Sequence, residues 1–411
     1  MVSVGVIGGG MAGVAAAEEA SKRGATVTLF EAGDELSGGK RSWTSLLSGG
    51  PSRPAEPSSE RLNRLGVKVK LQTSVKAIQG DGTVRFHQGA NAFDSLILAT
   101  GTRLVAERLG GGVRPGVHIL SGRASYLELA DAMRGYSEVA VVGSGRTLLD
   151  VANRLAAAGI GARIFSPGGE VWPKLGDPIR ARLEEALAAS GVPIMPREPD
   201  RLAGVEKVEA VVAGGDVYPC QAVVLVPRTL PEPLGAPVKL GRLGGVAVNS
   251  EMKSSLNRLF AAGGCAELKQ GSSTIHYDSE SSASVMGMVA GANASGGRVS
   301  AHVAGCVRLD LFGVGLVVAG MSLREAESVG LSAKQTTSDE AGFRCALVFD
   351  SGSLRLLGVQ LIGRDAGAYE QDAGVVVSES LGVDDVAYQE SSSTGPSPIQ
   401  RTAREAMRGR K

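Results

Sequence analysis

Short apolar runs followed at once by glycine and then by a small-residue stretch set the rhythm of the first half of the chain. Val4-Gly5-Val6-Ile7 runs into Gly8-Gly9-Gly10-Met11-Ala12-Gly13, an alanine-rich segment continues to Arg23, and Thr26 to Glu31 is again apolar and β-branched. Alternation of this kind predicts strand, helix, strand, the right-handed βαβ unit of a dinucleotide fold. The pattern returns at Glu138-Val139-Ala140-Val141-Val142, passes through Gly143-Ser144-Gly145-Arg146-Thr147-Leu148 and a helix to Ala158, and resumes at Ala162 to Phe165. Between the two units, strands are expected near Val67–Leu71, Val84–His87 and Ser95–Ala99, the last ending at Thr100-Gly101.

The Gly, Ser and Pro-rich stretch from Ala32 to Pro57 is a long loop, of the kind that carries function or lacks order. After the second unit, Arg258 to Glu267 reads as the chain's return to the first fold, followed by a Ser/Ala/Gly/Met helix from Glu280 to Ala294. From His302 the texture changes to long apolar strands, Gly342–Asp350 and Leu354–Ile362, with a helix from Tyr369 to Leu381. The expected fold is α/β: two Rossmann-like dinucleotide-binding domains, one (111–245) inserted in the other (1–110 and 246–301), with a C-terminal α+β domain over 302–411. The tail from Ser391, ending in basic Arg401–Lys411, reads as a loop and a frayed end.

Composition narrows the picture mainly by exclusion. With 43 Lys+Arg against 42 Asp+Glu, the formal charge of +1 gives no global field to attract nucleic acid or an anionic membrane. Met1 to Ile7 lacks the basic start of a signal peptide and reads as a buried strand. Val303–Gly320 is interrupted by Arg308 and Asp310, which makes it a poor membrane span. The four cysteines, at 220, 265, 306 and 345, show neither C-x-x-C spacing nor a disulfide framework, so a soluble protein of a reducing cytoplasm is expected, with no metal site.

The first glycine turn carries the clearest chemistry. Gly8 allows the tight bend, Gly10 lets the backbone approach a pyrophosphate, Gly13 lets helix and strand pack closely, and the amides at Met11 and Ala12 open the helix toward a phosphate. Glu31 ends the second strand, where a carboxylate accepts hydrogen bonds from ribose hydroxyls. In the second turn Gly143 and Gly145 are present, but Leu148 holds the third glycine's place and should push the helix away or demand a compensating pocket. Ser166-Pro167 stands where a ribose acid is expected, so NADH and NADPH both remain open.

Taken in order, these pieces resemble the FAD-dependent pyridine nucleotide-disulfide oxidoreductases, in particular the coenzyme A disulfide reductase and NADH oxidase branch. Five pieces carry the resemblance: Gly8–Gly13 with Glu31; Leu98-Ala99-Thr100-Gly101-Thr102; Gly143–Asp150; Val248–Ser255 leading to Gly263-Gly264-Cys265-Ala266-Glu267; and the terminal domain with Val318–Ala326 and Leu356–Gly363. The resemblance implies FAD at the first turn and a nicotinamide cofactor at the second. It also implies that Val75, Thr100 and Gly101 line the adenine and pyrophosphate, that Asp150 lies near the nicotinamide, and that the terminal domain makes a homodimer with Tyr388 reaching the partner's flavin. Lys40 and Arg41 could touch a phosphate, although charges on such a loop are often only solvated.

Three departures qualify that implication. Relatives carry Gly-Asp where this chain has Gly263-Gly264, which removes a charge-assisted bond to the ribityl chain worth about 1.5–3 kcal/mol. No cysteine occurs between Glu31 and Gly66, where relatives place the redox thiol, and Cys265 fits a small buried hydrophobe better. An aromatic that often follows Tyr388 is replaced within Ser391–Ser393, and His276 fits a hydrogen-bonded loop histidine. The expected activity is an FAD-dependent NAD(P)H oxidoreductase that passes hydride to flavin and on to oxygen, a quinone-like small-molecule acceptor or a protein partner. A catalytically silent nucleotide-binding relative and a coenzyme A disulfide, persulfide or sulfur reductase are the alternatives.

Overall fold

The structure, a computed structural model, describes residues 1–36, 46–47, 58–87, 89–105, 109–270, 273–277, 279–340, 342–390 and 395–408. The chain divides into two units: Met1–Arg41 with Arg53–Arg103 and Thr229–Cys306, and Ser42–Ser52 with Leu104–Arg228 and Val307–Lys411.

In the first unit, parallel strands run in the order Leu259–Ala261, Ser95–Leu98, Ser3–Ile7, Thr26–Phe30, Lys68–Lys70. Side chains of Ser95–Leu98 are buried on both sheet faces, as a central parallel strand requires. The helix Met11–Lys22 covers one face and packs along Glu280–Ala294, the expected small-residue helix. That contact is made backbone to backbone. A Cβ on Gly287 would collide with the Ala12 carbonyl, and one on Gly291 with the Ala16 carbonyl one turn further on. Ala16, Ala17 and Ala20 are fully buried, and opposite Ala12 and Ala16 the second helix presents only Gly287 and Gly291, so no large side chain stands at these two points of contact.

The second unit repeats the arrangement. Its parallel strands are ordered Gly161–Phe165, Glu138–Gly143, Ala222–Val226, Val117–Ile119, beside an antiparallel hairpin set at Pro199–Ala203, Ala210–Ala213 and Asp216–Pro219. The same unit contains a five-stranded antiparallel sheet in the order Val307–Leu311, Val314–Gly320, Leu356–Gly363, Phe343–Asp350, Ala333–Glu340. Gln360, buried in the middle strand, fastens this sheet to the nucleotide fold: it accepts the Gly176 N–H at 2.8 Å and donates to the Lys174 carbonyl at 2.9 Å. Asn153 adds a second fastening by accepting the Phe312 N–H at 2.8 Å.

In the terminal region the helix expected over Tyr369–Leu381 is present as Glu370–Ser378, entered through a 3-10 turn, Ala366–Tyr369, and followed by a further helix, Val383–Tyr388, while one expectation changes. The tail expected to fray contains a helix, Pro398–Arg408, whose Ile399, Thr402, Ala403 and Ala406 are buried. Their spacing is that of one helix face, and its apolar stripe packs on strands Ala333–Glu340 and Phe343–Asp350 while the basic residues lie on other faces.

The helix pair in the first unit generates a direct test. Gly291→Ala should lower the unfolding free energy by about 1–3 kcal/mol, because a methyl group must enter a contact that has no room for it. Denaturant titration with an unchanged midpoint would show that the two helices do not touch as described.

Candidate functional site

Each glycine turn lies at the carboxyl end of its sheet's central strand. In the first, Gly8 has φ +105° and a Cβ there would run into the Ala99 carbonyl, while a Cβ on Gly13 would strike the Gly8 carbonyl. Gly10 differs, since a Cβ on it would meet no atom of the described residues within 4 Å. No side chain caps the helix at Gly10, and among the described residues the first helical amide bonded to a main-chain carbonyl is that of Val14, to Gly10 at 2.9 Å. The amides of Met11, Ala12 and Gly13 therefore precede the helix's own ladder, and the positive end of the helix opens where a Cβ on Gly10 would meet no atom of the described residues. This cradle fits a dinucleotide pyrophosphate.

Glu31 sits beside it, but already bonded. One carboxylate oxygen accepts the Gly9 N–H at 2.6 Å and the other the Gly33 N–H at 2.7 Å. A carboxylate offers about four acceptor sites, so both oxygens retain capacity for ribose hydroxyls. Thr100 turns its hydroxyl onto the Glu232 carbonyl, and Gly101 accepts the Glu232 N–H at 3.1 Å, so this strand end is braced by a segment far along the chain. The Val75 side chain is part of the core.

Gly263 and Gly264, expected at the first site, lie against Ala12 and Thr102. A Cβ on Gly263 would stand 2.8 Å from that of Ala12, and one on Gly264 would stand 2.9 Å from the Thr102 methyl. The space next to position 264 is thus held by Thr102, which reading the sequence did not identify. His276 reaches the Gly264 carbonyl through Nε2 at 3.0 Å. The helix Glu280–Ala294 begins nearby, but Ser279 caps it by accepting the Ser282 N–H at 3.1 Å. Glu267, from the same motif, is buried and accepts amides of Leu243 at 3.0 Å and Gly245 at 2.8 Å, which is a structural task.

The second turn keeps the same opening. Gly143 has φ +145°, no atom of the described residues lies within 4 Å of a Cβ on Gly145, and no side chain caps the helix Arg146–Ala157. The Gly145 N–H is bonded to the Val171 carbonyl at 2.7 Å. Leu148 has the compensating pocket that its size demands: it is fully buried with Leu149, Val151 and Leu155 in the second unit's core. Asp150 is paired along its own helix with Arg154 at 3.0 Å. Burial first, and then the Asp150 carboxylate, push the neighbouring Tyr126 hydroxyl up to about 12. Ser166 is closed inward, donating to the Glu170 carbonyl at 2.6 Å. Glu170 is held below the usual carboxylate range by the Arg324 hydrogen bond. The Gly168 N–H donates to Glu198 at 2.8 Å, a contact not foreseen from the sequence.

Tyr388 ends its helix with 75% of its surface exposed. Lys40 and Arg41 lie outside the described residues, as does the rest of the Ser37–Ser45 stretch. Burial pushes the thiols up: Cys220 to about 11, Cys345 to about 12, and fully buried Cys265 upward as well. Among the described residues no cluster could hold a metal ion, and no helix is long and apolar enough to cross a membrane.

Residues 2–290 match the family model described as pyridine nucleotide-disulphide oxidoreductase, and the chain belongs to that family. It is 26% identical over 342 residues to an NADH oxidase of Methanocaldococcus jannaschii, covering 77% of this chain and 74% of that protein. It is 25% identical over 391 residues to an NAD(P)H coenzyme A polysulfide/persulfide reductase of Pyrococcus horikoshii, covering 88% and 87%. The fold is that of a water-forming NADH oxidase from Lactobacillus brevis solved with NADH, at TM-score 0.87 and 20% identity over 100% of this chain and 99% of that one.

Two tests follow from this geometry. Gly10→Ala should leave stability within about 0.5 kcal/mol of the parent while abolishing FAD binding, whereas Gly13→Ala should destabilise the fold itself by more than about 1 kcal/mol. Equal destabilisation of both would mean that Gly10 does not face open space. In a Cys306→Ser background, the folded protein should resist a disulfide reagent at about pH 8 and react only as pH rises toward the raised thiol values. Fast labelling of folded protein at that pH would contradict the burial of the other three.

Proposed function

We propose that this chain is an FAD-dependent NAD(P)H oxidoreductase that reduces a small-molecule acceptor without a protein thiol. What carries the reading is the duplicated turn, open at Gly10 and at Gly145 and followed each time by a helix that no side chain caps. Residues 1–110 and 246–301 would hold the flavin and 111–245 the nicotinamide nucleotide. Gly8, Gly10, Met11, Ala12, Gly13 and Glu31 cradle the flavin's adenosine and pyrophosphate, with Val75, Thr100, Gly101, Gly263 and Gly264 around them. Gly143, Gly145 and Asp150 serve the second nucleotide.

Bound flavin supplies a ring that accepts hydride and passes electrons on, chemistry that no side chain of the chain itself offers. The protein's part is binding and orientation through main-chain amides and the helix dipole. The absence of cysteine between Glu31 and Gly66, together with the raised thiols of Cys220, Cys265 and Cys345, favours direct transfer to the acceptor over a sulfur-reductase cycle. A cytoplasmic homodimer formed through residues 302–411 accords with the exposure of Val375 and Tyr388 on the helices Glu370–Ser378 and Val383–Tyr388.

The absorption spectrum tests the proposal. Protein as purified, or after incubation with FAD, should be yellow and should bleach on adding NADH or NADPH under argon. A colourless protein that cannot take up FAD would overturn it. Retention of NAD(P)H-dependent reduction after replacement of all four cysteines is expected, and its loss would favour the sulfur-reductase alternative.

A further inference from the structure

The two nucleotide folds keep a constant offset of 135 residues, pairing Gly8 with Gly143, Gly10 with Gly145, Phe30 with Phe165 and Gly33 with Gly168. Strand register preserves it, with Ile7 beside Phe30 in one sheet and Val142 beside Phe165 in the other. In the first fold the residue after the second strand is Glu31, and its carboxylate accepts the Gly33 N–H at 2.7 Å. In the second that residue is Ser166, 4% exposed and turned inward. The matching amide, that of Gly168, nevertheless meets a carboxylate oxygen at 2.8 Å, and the acid is Glu198.

Glu198 arrives from another part of the chain. The segment Pro193–Met195 joins the edge of the sheet next to Gly161–Phe165 and runs parallel to it. Ile164 N–H donates to the Pro193 carbonyl at 2.9 Å, and Met195 N–H donates to the Ile164 carbonyl at 2.8 Å. Running parallel, the segment leaves the sheet at the same carboxyl edge as Ser166, and Glu198 follows three residues later, exposed.

We infer that Glu198 is the ribose-binding acid of the second fold and makes it select NADH over NADPH. The inference rests on the nicotinamide reading above. A carboxylate at this place accepts the two hydroxyls of an adenosine ribose, and one oxygen anchored on the Gly168 amide fixes its position. A 2′-phosphate carries about −1.5 to −2 charges and would be driven off by the same group.

Calorimetric titration of the full-length protein with NAD⁺ and with NADP⁺ tests this, using Glu198→Gln. Glutamine keeps an oxygen for the Gly168 amide and so preserves the turn, while the charge is lost. The parent should bind NAD⁺ more tightly than NADP⁺, and Glu198→Gln should narrow that ratio by about tenfold or more. Its unfolding midpoint should not move. Binding of both nucleotides with an unchanged ratio in the variant would overturn the role of Glu198 alone, as would a parent that prefers NADP⁺. Failure of the parent to bind either nucleotide would overturn the nicotinamide reading and this inference with it.

Discussion

The main-chain contact between the helices Met11–Lys22 and Glu280–Ala294 is the constraint on which the first unit depends. Gly287 and Gly291 present bare backbone to the carbonyls of Ala12 and Ala16, and Gly263 closes on Ala12 from the side. Dispersion forces decay steeply with separation, so helices this close gain contact along their length only if no side chain intervenes. Ala12 is at once the second residue of the helix and part of the glycine turn. Packing the helix therefore also sets the position of the cradle, and residues almost the whole length of the unit apart in sequence cooperate in forming it.

The second unit reaches a similar cradle with different packing. Leu148 fills a pocket where Gly13 makes a close approach, and the cost of the larger side chain is offset by its complete burial. Around this fold the terminal sheet is held by Gln360 and Asn153, whose side-chain amides pair with part-buried main-chain groups. The ion pairs of Glu170 with Arg324 at 2.6 Å and Arg180 at 2.9 Å belong to the same fastening, which makes Glu170 a structural acid despite its place after the second strand.

Much of the fold is legible because its signals are local. Glycine spacing, apolar runs and the acid at Glu31 all fall within a short βαβ segment, and the structure places these residues around one open turn. The terminal helix Pro398–Arg408 also carries a local signal, the spacing of Ile399, Thr402, Ala403 and Ala406, but its basic residues obscure the stripe. Lys40 falls outside the described residues, and the Tyr388 side chain meets solvent in the single chain.

The sequence by itself determined the family, the two turns, the strand that precedes each and the lack of a thiol in the loop after the first. These depend on residue type at fixed spacing, and spacing is preserved when the chain folds. Only the tertiary structure decided that Thr102 occupies the space beside Gly264, that Thr100 is engaged by Glu232, and that Glu198 accepts the Gly168 amide. Each of these joins segments separated by loops or whole strands, and no periodicity along the chain encodes which distant carboxylate will reach a given amide. That choice is made by sheet order and strand direction, which bring Pro193–Met195 to the edge beside Gly161–Phe165.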